Sequence, residues 1–425
     1  MAEERTAAGV AARGAGPEAW RRNLYVVMVA VFASFTGFTF VMPFLPLYIR
    51  ELGVTDPGEA ALWSGFLFGV SPLLSGLLAP LWAILAERHG RKAMMQRALG
   101  VFVVVIVAMA FVTSVYQLLA LRVLLGVFGG FGVMAVALAS SLAPRERVGE
   151  AVGLLQATQL ASGIGAPLLG GVVVDAVGIH RSFFAAAALC LAGLLLIRYG
   201  FREERTKPTG GAPGPARATL RQYLHLPVFV GLLVAIFTIQ FIDRSFGPLL
   251  PLYIATLDAP ADRVGSITGA VMTLGAIAGT VAAGYGGRLS ARVAPRPLLL
   301  WSLAAGALCC LPIAFVERWW QLLVLRTLLG ALAGGALTLA YAVGGRALPD
   351  GARLGAFGVL AGLGQIGGAV SPMVTGLLAR WASLGAIFVL DAALYALVLA
   401  WSWRMLAPPS WPAAASPAAR DQRGS

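Results

Sequence analysis

Residues 80–95, PLWAILAERHGRKAMM, decide how the rest of the chain is read. A long apolar run stops at Ala86, a knot of charge follows (Glu87, Arg88, His89, Gly90, Arg91, Lys92), and a second long apolar run opens at Ala93. A glycine set among charges, between two stretches each long enough to cross about 30 Å of hydrocarbon, is a tight polar turn joining two membrane helices. Basic loops are common to multispanning proteins. What sets this one apart is the acid at the first helix end, the turn glycine and the basic pair behind it, all together.

The composition agrees. Of 425 residues, 59% are hydrophobic and only 12% charged, with a mean hydropathy of +0.82, too little charge to cover a soluble protein of this length. The net charge of +13 is almost all arginine, because Lys92 and Lys207 are the only lysines. In such a chain a basic balance implies anionic lipid headgroups at one face, not nucleic acid. Neither lysine follows a glycine, so a phosphate-cradling loop and direct ATP coupling are excluded. His89, His180 and His225 are isolated, and no loop is large enough for a catalytic domain, so neither an enzyme nor a cofactor is expected. Cys190, Cys309 and Cys310 lie in apolar runs, against a disulfide or zinc site. The first apolar run is too long for a signal-peptide core and is expected to stay uncleaved, with the N-terminus in the cytoplasm.

The apolar runs predict twelve transmembrane helices near 24–49, 61–85, 94–113, 116–140, 148–174, 182–199, 226–254, 263–287, 297–315, 319–343, 353–379 and 383–404. With both termini inside, the cytoplasmic segments hold Arg21, Arg22, Arg88, Arg91, Lys92, Arg145, Arg147, Arg202, Arg205, Lys207, Arg288, Arg292, Arg296, Arg346, Arg353 and Arg404, among others. The outer loops hold only Arg50, Arg181, Arg263, Arg318 and Arg380. That asymmetry predicts the orientation. A polar stretch rich in Pro, Gly and charge divides the helices six and six. The expected organisation is a cytoplasmic segment 1–23, a six-helix bundle 24–199, a cytoplasmic linker 200–225, a second bundle 226–404 and a cytoplasmic tail 405–425.

The halves are copies. Pro43-Phe44-Leu45-Pro46-Leu47-Tyr48-Ile49 returns as Pro248-Leu249-Leu250-Pro251-Leu252-Tyr253-Ile254, and Gln117 through Arg122 with Gly126 returns as Gln321 through Arg326 with Gly330. The fold class expected is therefore an all-α polytopic membrane protein of two parallel six-helix repeats, whose interface forms a substrate path.

With these motifs in hand, the chain from about residue 20 to 405 resembles the major facilitator superfamily. The turn at 83–92 is similar to its loop 2–3 signature, G-x-L-a-D-r-x-G-r-k, with Ala83 for the first glycine and Glu87 for the aspartate. Pro43 and Pro46 match the P-x-x-P of helix 1, and Arg122 with Gly126 the R-x-x-x-G of helix 4. Pro167 with Gly171 resembles the G-P-x-x-x-G of helix 5, an antiporter element, although Ala166 replaces its first glycine. The string FVMPFLPLYIRELGV, residues 40–54, is similar to the MdtG-like multidrug efflux transporters. The resemblance implies a proton-driven exporter, a conformational latch formed by Glu87, Arg88, Gly90, Arg91 and Lys92 against the start of helix 11 near Arg353, and a part for Arg122 in proton coupling. The physical basis of such a latch is a carboxylate accepting hydrogen bonds from free amides at a helix N-terminus.

Charge within the membrane costs about 2.5–3.5 kcal/mol per residue on insertion scales, so each such residue is a functional candidate. Away from their ends, the predicted spans contain Arg122, Arg244, Arg326, Asp243 and Asp391. Asp243 is the leading protonatable switch: burial favours a neutral carboxylate, a nearby arginine a charged one, and that competition suits proton coupling. The alternative is a static ion pair with Arg326 or Arg244. Arg122 is expected to find a backbone carbonyl, Gln156 or Gln159, or Asp243, unless it and Arg326 merely brace their helices. Asp391, in a peripheral helix, reads as structural. The glycine clusters read as close-packing surfaces, with Pro167 and Pro372 as matching hinge candidates alongside Gly171 and Gly376. Phe35, Phe38, Gln159, Gln240, Phe241 and Tyr341 are candidate walls of a broad apolar cavity.

The function expected is a secondary transporter, a proton-coupled antiporter that exports amphipathic molecules by alternating access, acting as a monomer in the cytoplasmic membrane. Its partners are then a small-molecule substrate, protons and lipids. Proton-coupled nutrient uptake and a non-transporting sensor are the alternatives. With both acids ionised these interior charges sum to +1, so neutral, zwitterionic or anionic substrates suit the spans at least as well as cations.

Overall fold

The computed structural model describes residues 19–143, 147–201, 225, 227–347 and 353–406. The expected N-terminal segment up to 18, the linker from 202 to 224 and the tail beyond 406 lie outside the described residues. Regular structure among the described residues is helical throughout.

In chain order the first half holds α1 (Ala19–Val41), a 3-10 turn (Met42–Phe44), α2 (Leu45–Glu51), α3 (Pro57–His89), α4 (Arg91–Met109), α5 (Val115–Phe128), α6 (Phe131–Leu142), α7 (Val148–Val177) and α8 (Ile179–Leu195). The second holds α9 (Pro227–Ser245), α10 (Leu250–Thr256), α11 (Val264–Arg292), α12 (Pro295–Ile313), α13 (Trp319–Ala333), α14 (Ala336–Ala347), α15 (Arg353–Trp381) and α16 (Ala386–Met405). Among the described residues, eleven helical stretches are long and apolar enough to cross a membrane. The twelfth crossing, fourth in sequence, is made by α5 and α6 together.

Four crossings depart from the continuous helices expected at 24–49, 116–140, 226–254 and 319–343: the 3-10 turn interrupts the first, and a turn at Gly334-Gly335 separates α13 from α14 in the tenth. The fourth breaks because Gly130 takes φ +65°, a left-handed conformation natural to glycine and strained for other residues. The seventh breaks between α9 and α10, where Pro248 supplies no amide to continue a helix. Broken helices survive in lipid only where protein satisfies the freed backbone groups. Here Trp82 Nε1 donates to the Val127 carbonyl at 2.9 Å and Ser75 Oγ to that of Gly126 at 3.1 Å.

Each half has its own core. Val27, Phe44, Tyr48, Leu99 and Phe183 are buried together in the first, and Phe229, Ile236, Leu303, Leu339 and Phe388 in the second. The duplication extends to single hydrogen bonds. Tyr48 Oη donates to the Met109 carbonyl at 2.8 Å, and Tyr253 Oη to that of Ile313 at 2.7 Å.

The halves meet along two helix pairs, α3 with α15 and α7 with α11. Both pairs close at the end of the bundle away from the termini. A Cβ on Gly65 of α3 would strike the Pro372 carbonyl, and one on Gly376 of α15 would lie 2.6 Å from that of Ala61. A Cβ on Gly171 of α7 would strike the Gly265 carbonyl, and one on Gly269 of α11 that of Pro167. Toward the termini the same four helices separate. Gly76, Gly153, Gly284 and Gly362, one on each, have no neighbour among the described residues within 4 Å of a Cβ position. Leu77, Leu81 and Ile84 of α3 are exposed there. The bundle is shut at its far end and open at the end that carries the termini.

Candidate functional site

The two helix-4 arginines occupy equivalent places with different surroundings. Arg122, on α5, is 2% exposed. Its Nε donates to the Leu67 carbonyl at 2.7 Å, an Nη lies 3.0 Å from Met42 Sδ, and the ring of Phe38 is 5.8 Å away. Of the partners considered, a backbone carbonyl is the one it has. Ser71 Oγ donates to the Arg122 carbonyl at 2.6 Å and a Cβ on Gly126 would press on Ser71 at 2.9 Å, so α3 and α5 are tied at this level.

Arg326, on α13, is half-buried. Its guanidinium lies over the ring of Phe246 at 4.4 Å and its stem runs along Gly275 of α11. Its field reaches Asp391 and Tyr395 of α16.

Asp243 and Arg244 stand near the end of α9. Their side chains are 62% and 61% exposed, and Asp243 Oδ2 is 3.9 Å from Arg244 Nε, a loose pair. Arg244 also leans on α15, its Cγ 3.1 Å from where a Gly368 Cβ would sit. Asp391 departs from the expectation of a peripheral position. It is fully buried and faces α9, where Ser245 Oγ lies 2.6 Å from its Oδ2. Counting helices places α16 at the rim, but its face toward α9 belongs to the interior.

The expected cavity residues fall into two groups. Phe35 and Phe38 pack into an aromatic cluster, their rings 5.4 Å from those of Phe131 and Phe102 respectively. Phe241, expected on the wall, is buried, and its carbonyl accepts from Ser371 Oγ of α15. Gln240 is partly exposed beside Gly364 of α15, and Tyr341 meets Phe357 edge to face at 5.8 Å. Gln159 is partly exposed, its Nε2 buried without a hydrogen-bond partner among the described residues.

Pro167, Gly171, Pro372 and Gly376 all stand in the closed far-end contact, where each proline carbonyl faces a glycine of the opposite half. Pro43 is in the 3-10 turn and Pro46 in the first turn of α2, beside the Met42 that contacts Arg122. In the 83–92 turn, α3 ends at His89, Gly90 takes φ +91°, and α4 starts at Arg91. Arg88 is exposed, Arg91 partly so, and Lys92 Nζ donates to the Phe201 carbonyl while lying 5.8 Å from that ring. The side chains of Glu87 and Arg353 lie outside the described residues, so the expected latch does too.

Sequence reasoning missed Asp175. It lies in the last turn of α7, one residue past the expected helix end at 174. Its Oδ1 accepts from the Gly265 amide at 2.9 Å and its Oδ2 from the Ser266 amide at 2.6 Å. Those are first-turn amides of α11, so a carboxylate of one half caps a helix of the other, where free amides and the helix dipole both favour a negative charge. Thr273 Oγ1 donates to the Ile164 carbonyl at 2.7 Å along the same seam.

A family profile described as the Major Facilitator Superfamily matches residues 27–317 and again 232–423. Among curated proteins, the chain is 34% identical over 331 residues to the multidrug resistance protein MdtG of Citrobacter koseri, covering 76% of this chain and 79% of that one. It is 30% identical over 393 residues to MdtG of Proteus mirabilis, covering 90% and 96%. Among solved structures, a bacterial homologue of the human lysosomal transporter Spinster, in an inward-facing and occupied conformation, superposes with a TM-score of 0.75 at 16% identity, covering 94% of this chain and all of that one. The nucleoside transporter NupG superposes at 0.71 and 10% identity, covering 90% and 99%. Duplicated halves, paired helices closing one end of the path between them, and a profile spanning both halves lead to one statement: the chain is an integral membrane protein of the major facilitator superfamily.

Proposed function

We propose that this protein is a proton-coupled antiporter of the cytoplasmic membrane that exports amphipathic small molecules by alternating access. The observation that carries the reading is the asymmetric closure between the halves, sealed at Gly65–Pro372 and Gly269–Pro167 and parted at Gly76, Gly153, Gly284 and Gly362. A path shut at one end and open at the other is one of the two states that alternating access requires. Relatives of 30–34% identity that bear the name multidrug resistance protein support an export cargo of drug-like compounds.

In this reading the termini, the 200–225 linker and the 405–425 tail are cytoplasmic, as the arginine asymmetry favours, and the state described is inward-open. The bundles 24–199 and 226–404 rock about the wall formed by α3, α7, α11 and α15, with Pro167 and Pro372 as hinges. Asp243, Arg122, Arg244 and Arg326 are the proton-coupling candidates, and Phe35, Phe38, Gln159, Gln240 and Tyr341 offer a largely apolar wall. Glu87 with its basic neighbours closes the cytoplasmic end in the opposite state, and the basic turns hold anionic headgroups. The protein works as a monomer.

Transport into inverted membrane vesicles tests the reading, with ethidium as a cationic probe, norfloxacin as a zwitterionic one and chloramphenicol as a neutral one. Accumulation of at least one probe under an imposed proton gradient, abolished by a protonophore, is the expected result. Gradient-independent movement of all three would sink it.

A further inference from the structure

The hydrogen-bond accounting around Asp391 leaves one hydrogen short. Ser245 Oγ lies 2.6 Å from Asp391 Oδ2 and 2.8 Å from the Ile242 carbonyl. A serine hydroxyl carries one hydrogen and can donate it once. The Ile242 carbonyl can only accept, and it is among the last carbonyls of α9, which a helix end leaves without intrahelical partners.

Both short contacts are hydrogen bonds only when Asp391 carries a proton on Oδ2 and gives it to Ser245 Oγ, which in turn gives its own to Ile242. When Asp391 is ionised, Ser245 must turn its hydrogen to the carboxylate, and the Ile242 carbonyl loses its donor. Asp391 Oδ1 has no hydrogen-bond partner among the described residues. As the carbonyl oxygen of a neutral acid it is far cheaper to bury than as half of an anion.

The charged and titratable groups near this carboxylate are Cys310 from α12, Arg326 from α13 and Tyr395 one turn on along α16, beside the Ser245 hydroxyl from α9. Ser245 is the final residue of α9, directly before the break in the seventh crossing, and two residues after the exposed Asp243. Two positions along a helix are about 200° apart in azimuth, so Asp243 and Ser245 look to opposite sides of α9.

We infer that Asp391 is a proton-binding site, and that Ser245 passes its protonation state to the break between α9 and α10 by switching its hydrogen between the Ile242 carbonyl and the Asp391 carboxylate. On binding, a proton from water adds to Oδ2 and the serine hydrogen swings to Ile242; on release both movements reverse. Protonation therefore secures the end of α9 and ionisation frees it. The coupling of this switch to export rests on the proton-antiport reading above; the switch itself does not.

The test is pH-difference infrared spectroscopy on the full chain in lipid nanodiscs, with no substrate. Asp391→Asn is expected to remove one titrating carboxyl band, and Ser245→Ala, which keeps the acid but takes away its partner, to shift the same band. Should Asp391→Asn fold poorly, the band shift in Ser245→Ala decides alone. A pH-difference spectrum unchanged by both substitutions overturns the inference. Inverted vesicles then separate the two levels. Loss of gradient-driven accumulation in Asp391→Asn, with substrate exchange at equal pH retained, ties the switch to transport. Gradient-driven accumulation at the wild-type rate in that variant removes Asp391 from coupling. Absence of such accumulation in the wild type, with the band present, defeats the antiport reading and leaves the switch standing.

Discussion

The two halves share a backbone plan and differ where charge meets it. Arg122 is sealed among a carbonyl, a thioether and a phenyl ring, while Arg326, its counterpart, stacks on Phe246 within the field of Asp391. At the far end, Asp175 of the first half caps α11, whereas the corresponding stretch of the second half reads Ala379-Arg380 and brings the Arg380 backbone against Gly58 of α3. The duplication supplied the scaffold; departures from it mark where the halves have different tasks. The first half carries the carboxylate that caps a helix across the far-end seam, and the second the buried acid of the interior.

The largest expected effect breaks the arginine comparison. Arg122→Ala takes the side-chain donor from the Leu67 carbonyl and leaves a cavity in a closed core, which together cost about 3 kcal/mol or more. Arg326→Ala removes a partly exposed group and is expected to lower the thermal unfolding midpoint in detergent less than half as far. Equal losses in the two variants would show that both arginines are braces of the same kind.

Next comes the far-end seam. Gly269→Val drives a side chain into the Pro167 carbonyl, and overpacking of this sort costs about 1–3 kcal/mol. Because only the closed state contains that contact, the substitution is expected to shift the population toward the far-end-open state by about tenfold or more. Spin-label distances between the far ends of α7 and α11 report it. Gly65→Val, its counterpart on α3, is expected to act to the same degree, and a large difference between them would mean that one seam bears the closure alone.

Asp175→Asn keeps the shape and removes the charge that the α11 amides and dipole favour, worth about 1 kcal/mol. A shift of roughly fivefold toward the far-end-open state is expected by the same distances. An unchanged distribution would reduce Asp175 to a local cap.

Much of this was legible in the sequence, for physical reasons. Hydrophobic runs of membrane length and a doubled pattern of Pro, Tyr and Arg can be read without coordinates, because the bilayer constrains length and repeats constrain register. The break at Gly130 was not, since glycines in a membrane helix look alike whether they allow close packing or a positive φ. Asp175 escaped because one residue of error at a helix end turned a carboxylate of the far-end seam into a loop acid. The burial of Asp391 was not foreseen because helix order says which helix is peripheral but not which of its faces looks inward. An acid within the apolar run of residues 386–401 was itself the signal.

The smallest effect sharpens the comparison at the other end of the bundle. Glu87 stands in the last turn of α3, where its counterpart in the second half is Ala291, so its carboxylate, like that of Asp175, belongs to one half only. If Glu87 holds the terminus-side end shut in the opposite state, Glu87→Gln favours the state described here and acts against Asp175→Asn. The two positions lie at opposite ends of the bundle, so their effects should add. Glu87→Gln is expected to shift the balance about threefold toward the terminus-side-open state, and the double variant to return near the wild-type distribution. A double variant that stays where Asp175→Asn put it would leave the turn at 83–92 a topological anchor and Asp175 the one charged latch of the pair.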